Sequence, residues 1–194
     1  AKKRMEEEEI IVIWILLLGL GLFFSLIYDI TVLEGVMSER TPVMNYYFVE
    51  FAFLFTVPVI ILLVTLFLLK DRKLIIPWWI ASITALSFSL MLKYMLARNR
   101  PFVAFPQLFT ALATEAAYSF PSARTAVIFA ALPIMSKYQP RFFPFWFFMA
   151  ILVAYSRLYL GVHYLSDIFG GMLIGYIFGK LTLYTAEKVH KFKQ

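Results

Sequence analysis

The chain has 194 residues, of which 62% are hydrophobic and only 15% charged, with a formal net charge of +6. Soluble domains run nearer ~45–50% apolar and ~25% charged, so the composition excludes an ordinary soluble enzyme and points to an all-α integral membrane protein. There is no cysteine, which excludes disulfides and thiolate metal sites, and the positive charge is read as membrane topology, not as a nucleic-acid surface.

Six segments are read as membrane spans, a bilayer crossing needing roughly 20 mostly apolar residues. The first, 10–30, follows the charged stretch "AKKRMEEEE"; no small-residue cleavage site comes after it, so it is expected to be a retained anchor. The others are 46–69, 74–96, 124–136, 142–160 and 163–184. The fourth is short, and Pro121 before it suits the first turn of a helix. The expected architecture is a six-transmembrane-helix bundle forming a single domain over 1–194. No internal repeat appears, which disfavours a transporter.

Basic residues set the orientation. With the amino terminus in the cytoplasm, Lys2, Lys3, Arg4, Lys70, Arg72, Lys73, Lys137, Arg141, Lys180, Lys188, Lys191 and Lys193 fall on the cytoplasmic side, twelve of eighteen. Both termini are therefore expected inside. The remaining six are Arg40, Lys93, Arg98, Arg100, Arg124 and Arg157, most of them at the outer ends of spans three to six. Positive charge there opposes the insertion bias, which suggests an anion site facing outward.

Three stretches carry that site. In "KYMLARNRP", Lys93 and Arg100 lie about two helical turns apart and would share a face if the helix continued. In "FPSART", Ser122 and Arg124 stand at an expected helix start, where unpaired backbone amides attract anions. In "SRLYLGVHYLSD", Arg157 precedes His163 by six residues, and Asp167 follows at i+4, so His163 and Asp167 are helix neighbours. Gly171, Gly175 and Gly179 continue the four-residue step and predict close packing of that face on another helix.

Ionisable groups in or at the edge of a membrane tend to be functional. Arg98 and Arg40 are nevertheless read as interfacial anchors, Asp29 as a local cap or partner, and His190 as a solvated tail residue. Glu115, in the loop before "SFPS", receives no role. Fixed cations can hold the non-bridging oxygens of a phosphate, and arginine's planar fork suits them. A neutral imidazole can attack phosphorus, with the carboxylate fixing its tautomer. The chain offers no carboxylate or histidine cluster for a metal, so neither a metal nor a cofactor is expected.

These stretches resemble the type 2 phosphatidic acid phosphatase superfamily, whose members share a helical core with vanadium haloperoxidases. The family pattern is Lys-x6-Arg-Pro, then Pro-Ser-Gly-His, then Ser-Arg-x5-His-x3-Asp. Here it reads Lys93-x6-Arg100-Pro101, Pro121-Ser122-Ala123-Arg124 and Ser156-Arg157-x5-His163-x3-Asp167, over residues 93 to 167. The resemblance implies that His163 is the nucleophile and Asp167 its partner, while Lys93, Arg100, Ser122 and Arg157 bind phosphate. The second motif departs. Where the family has the histidine taken to protonate the leaving group, this chain has Arg124, which can bind phosphate but cannot donate a proton near neutral pH.

The expected function is thus a membrane lipid phosphatase, working without a metal through a phosphohistidine at the outer face of a bacterial inner membrane. Candidate substrates by resemblance are phosphatidylglycerophosphate, undecaprenyl diphosphate, phosphatidic acid and a lipid A phosphate. Two rivals stand beside it: a lipid-phosphate binder without turnover, and a phosphotransferase that passes the phosphoryl group to another lipid.

Overall fold

A computed structural model of the chain describes residues 2–115 and 118–191, with side chains from 9 to 188 in that range. The side chains of Lys2, Lys3, Arg4, His190, Lys191 and Lys193 lie outside the described residues. The described chain is all-helical: α1 Lys2–Ser38, α2 Pro42–Leu54, α3 Val57–Phe67, α4 Ile75–Leu96, α5 Pro101–Ala104, α6 Ala123–Tyr138, α7 Phe143–Tyr159 and α8 Leu165–Lys191. Short 3-10 turns at Leu68–Leu74 and Pro140–Phe142 lead into α4 and α7.

At the centre is α6. Every residue from Thr125 to Met135 is buried, because α8, α4 and α7 pack around it. A helix packed on every side is apolar all round, and its alanines let the neighbouring helices approach closely. Outward, the bundle is greasy: Phe53, Ile76 and Met95 are 80%, 71% and 70% exposed, among a belt of large apolar side chains. Such a belt faces hydrocarbon, not water.

Three helical segments, Glu9–Ser38, Pro140–Tyr159 and Leu165–Lys188, are long and apolar enough to cross a membrane, and a bent pair makes up to four. That pair corrects the second expected span. Residues 46–69 do not form one rod; the chain breaks after Leu54, Thr56 in extended backbone precedes α3, and the two parts bend by 68°. The cause is Pro58 in the first turn of α3, which cannot donate to a continuing helix.

Close packing of α8 on α6 follows the glycine stripe. A Cβ on Gly171 would stand 2.5 Å from the Ser122 carbonyl oxygen, and one on Gly179 would stand 2.5 Å from that of Ala130. At Gly175 it would meet the Ala126 carbonyl and lie 2.8 Å from the Phe129 Cβ. Backbones this close exclude any side chain at the seam. The seam matters for position: Ser122 begins α6, Asp167 lies in the first turn of α8, and the Ser122 amide donates to the Asp167 carbonyl at 2.9 Å.

Candidate active site

Four separate segments bring the motif residues to one end of the bundle. Lys93 sits in the last turn of α4. The helix then stops at Leu96 with Ala97 in the left-handed region (φ 47°). Lys93 and Arg100 therefore do not share a helix face, as expected had α4 continued; Arg100 is in extended chain ahead of Pro101. Ser122 is the extended N-cap residue of α6, and Pro121 lies outside the helix, not in its first turn. Arg157 belongs to the last turn of α7. His163 precedes α8 instead of lying on it, in a turn made possible by Gly161 at φ +73°.

The expected residues converge. Lys93, Arg100, Ser122, Arg157, His163 and Asp167 are each no more than 5% exposed. His163 Nδ1 stands 3.2 Å from Asp167 Oδ2, and Nε2 is 3.4 Å from the Arg100 guanidinium. This network assigns the tautomer: Nδ1–H donates to the carboxylate, and the Nε2 lone pair faces the cations. Asp167 is itself fixed, its Oδ2 accepting from the Tyr164 amide at 2.9 Å and its Oδ1 from Arg98 at 2.9 Å. Burial pushes the His163 imidazole well below its ordinary pKa, and Lys93, Arg100, Arg157 and Arg124 around it act in the same direction. Both effects favour the neutral ring.

Arg100 also donates to the Val162 carbonyl at 2.7 Å, which anchors its guanidinium beside the imidazole. Lys93 donates to the carbonyls of Tyr118 and Ser119 at 2.7 and 2.9 Å. It thus ties the end of α4 to the chain entering α6. Arg124 turns back to the Ala52 carbonyl of α2 at 2.8 Å, joining the bent helix pair to the cluster.

Four residues acquire positions that the sequence did not disclose. Glu115 places its carboxylate among the arginines. Its Oε1 accepts from Arg124 at 2.9 Å and from Arg157, and its Oε2 accepts from Arg100 at 3.2 Å. Burial alone would raise its pKa, but the guanidinium groups of Arg157, Arg124 and Arg100 outweigh this and hold it below the usual carboxylate range. Even so, Nε and Nη1 of Arg157, both buried, find no partner.

Arg98 is not an interfacial anchor. It bridges Asp167 and Asp29 (2.7 Å), donates to the Ser166 hydroxyl at 2.6 Å and stacks over the Tyr164 ring. Nor does Asp29 pair locally; it crosses from α1 to accept from the Ser166 amide at 2.7 Å. Arg40 likewise reaches inward, donating to the carbonyls of Tyr159 (2.9 Å) and Thr110 (2.8 Å). The sequence held one signal for the two arginines, the run of cations near helix ends, but no spacing rule pairs side chains that lie on different helices and loops.

A buried imidazole–carboxylate pair thus faces a cluster of fixed cations inside a greasy helical bundle of the membrane-protein class. The PAP2 superfamily profile matches residues 73–191, well over half of the chain, and the chain belongs to that superfamily. It is 32% identical over 97 residues to phosphatidylglycerophosphatase B of Bacillus subtilis, an alignment covering 44% of this chain and 48% of that protein. It is 28% identical over 111 residues to the undecaprenyl-diphosphatase of Sulfolobus acidocaldarius, covering 55% and 52%. The chain thus spans about half the length of the curated relatives it matches. Among solved structures, Aquifex aeolicus LpxE is similar at a TM-score of 0.72 and 28% identity, covering 80% of this chain and 94% of that one.

Proposed function

We propose that the protein is a lipid phosphatase that cleaves a phosphate mono- or diphosphate ester through a phosphohistidine, without a metal ion. The observation that carries this reading is the meeting of three guanidinium groups on the Glu115 carboxylate, next to an imidazole oriented by Asp167.

His163 Nε2 attacks phosphorus while the bond from phosphorus to the lipid oxygen breaks, and that oxygen leaves with the electron pair. Asp167 stabilises the positive charge that develops on the ring. Arg100, Arg157 and Arg124 neutralise the non-bridging oxygens, with Lys93 and the α6 amides beyond Ser122 behind them. Water then attacks the phosphohistidine and releases orthophosphate. Arg124 supplies charge but no proton, so a leaving group that needs little protonation, such as the lipid monophosphate leaving from a diphosphate, suits this site better than an alkoxide.

The lipid tail has a place to lie. A groove of about 610 Å³ runs between α2 and α7, its wall mostly apolar (Tyr47, Phe48, Phe51, Phe53 and Leu152 among others) with Glu50 as its one charged residue. The helix that forms its wall, α2, is also the one whose Ala52 carbonyl accepts from Arg124. In this reading all six expected segments take part in the membrane domain. The termini are cytoplasmic and the cradle opens to the periplasmic side, as the basic residues imply. Phosphatidylglycerophosphate, undecaprenyl diphosphate, phosphatidic acid and lipid A phosphate are the substrates to try.

The test is phosphate release from that panel by the purified chain and by an Ala123→Gly, Arg124→His variant, with His163→Ala as control. Release that survives His163→Ala in an active background refutes the phosphohistidine route. One observation favours a second reading: Arg124 stands where the family carries a proton-donating histidine. A binder without turnover would bind lipid phosphate and release none, and only the reverted variant would hydrolyse. Labelled phosphate appearing on a second lipid would instead mark a phosphotransferase.

A further inference from the structure

Among the described residues, Glu115 is the one negative charge inside the cradle that the proposed reaction does not use, and it sits where the substrate's phosphate is expected. Both of its oxygens are engaged: one by Arg124 and Arg157, the other by Arg100. These are the same guanidinium groups assigned above to phosphate. A carboxylate and a phosphate cannot both hold them, because the two anions would repel at close range in a poorly screened site.

Glu115 also fills the cradle incompletely. Nε and Nη1 of Arg157 are buried and unpartnered beside it. Buried donors without acceptors are costly, and a planar carboxylate has only two oxygens to offer. A phosphate group brings three or more oxygens in a tetrahedron and can reach donors that the carboxylate leaves bare. The carboxylate is also placed to leave. Glu115 lies in the loop between α5 and α6, and its side chain is 19% exposed, against 1% and 3% for Arg157 and Arg100. No helix holds it in place.

We propose that Glu115 is a resident anion that a substrate phosphate must displace, and that it makes the cradle select lipid-anchored phosphate over free orthophosphate. This rests on the reading of the cradle as a phosphate site. A lipid phosphate has the apolar contacts of its tail to offset the displacement; orthophosphate has none. After hydrolysis the returning carboxylate expels the product, so four clustered cations do not retain it.

Direct binding tests this without relying on turnover. Inorganic phosphate is titrated into the full chain in detergent, by calorimetry and by thermal shift, for the wild type and for Glu115→Gln. The amide should bind phosphate at least about tenfold more tightly, since it removes a like charge at contact distance. Its melting temperature should rise with phosphate more steeply than that of the wild type. Should Glu115→Gln not fold, Glu115→Asp retracts the carboxylate by one methylene and should give an intermediate gain. Equal affinity in wild type and variant, or weaker binding by the variant, overturns the proposal while leaving the phosphate cradle standing. If neither chain binds phosphate while both are folded, the cradle reading fails and this proposal fails with it.

Discussion

Arg98→Met removes a charge and keeps an apolar stem, and its consequences can be worked from the geometry. The guanidinium joins Asp167 at 2.9 Å, Asp29 at 2.7 Å and the Ser166 hydroxyl at 2.6 Å. Without it, two carboxylates that are 0% and 5% exposed lose the cation between them. Each keeps other donors, Asp167 the Tyr164 amide and His163, Asp29 the Ser166 amide and hydroxyl. Breaking one side of a buried ion pair costs about 3–5 kcal/mol. The Arg98 side chain is 29% exposed, so screening brings the expected loss to about 2–3 kcal/mol. That is a factor of roughly 30 to 150 in the folded-to-unfolded ratio. Unfolding in detergent micelles would measure it, and a double-mutant cycle with Asp29→Asn should return a coupling of about 1–2 kcal/mol. A loss below about 0.5 kcal/mol, or strict additivity with Asp29→Asn, would refute the view that this bridge fixes Asp167.

Gly175→Leu should separate α6 from α8 and cost about 2–3 kcal/mol or prevent folding, with Gly175→Ala milder; melting curves in detergent decide, and an unchanged midpoint would deny the close contact. Ala123→Gly with Arg124→His should raise hydrolysis of a lipid monophosphate by about 10²-fold or more, and that of a diphosphate by less, in a phosphate-release assay. The pH profile should reflect a depressed imidazole. Because the folded His163 stays neutral through its ordinary titration range near pH 6.5, kcat/KM should hold level as pH falls through 6.5 and decline only at more acidic pH, where the ring gains its proton. The same shift acts on stability: the unfolded chain binds a proton near pH 6.5 and the folded chain does not, so this contribution is present above pH 6.5 and is lost as pH falls through the folded value.

The motifs were legible because a few fixed spacings carry them. His163 and Asp167 meet as i and i+4, although the helix begins only at Leu165, and the spacing of Gly171, Gly175 and Gly179 announced the seam that holds them against Ser122. Composition made the membrane class plain. What stayed hidden depended on distance along the chain. Asp29 and Ser166 are 137 residues apart, and nothing local to either marks the pair. Glu115 sits in a loop, where no periodicity tells which way a side chain points. Arg98 looked like any cation at a helix end, since its role arises only when α1 and α8 meet. The bend between α2 and α3 was signalled by Pro58, but an apolar run with one proline reads equally as a kinked single span. The stop after Leu96 had no such marker, because Ala97 is not a residue that usually adopts a left-handed conformation.

The near-contact of two backbones along the glycine stripe has a mechanical consequence. The starts of α6 and α8 behave as one plank, so the spacing between Ser122 and the imidazole is set by bone and not by padding. Under the proposed lipid reading, adjustment to a tail falls outside this plank, and the broken α2–α3 rod, which meets the plank through Arg124 and the Ala52 carbonyl, is the segment to test for it. If that reading holds, changes on the outward surface of that rod should alter tail preference while the reactive end keeps its dimensions.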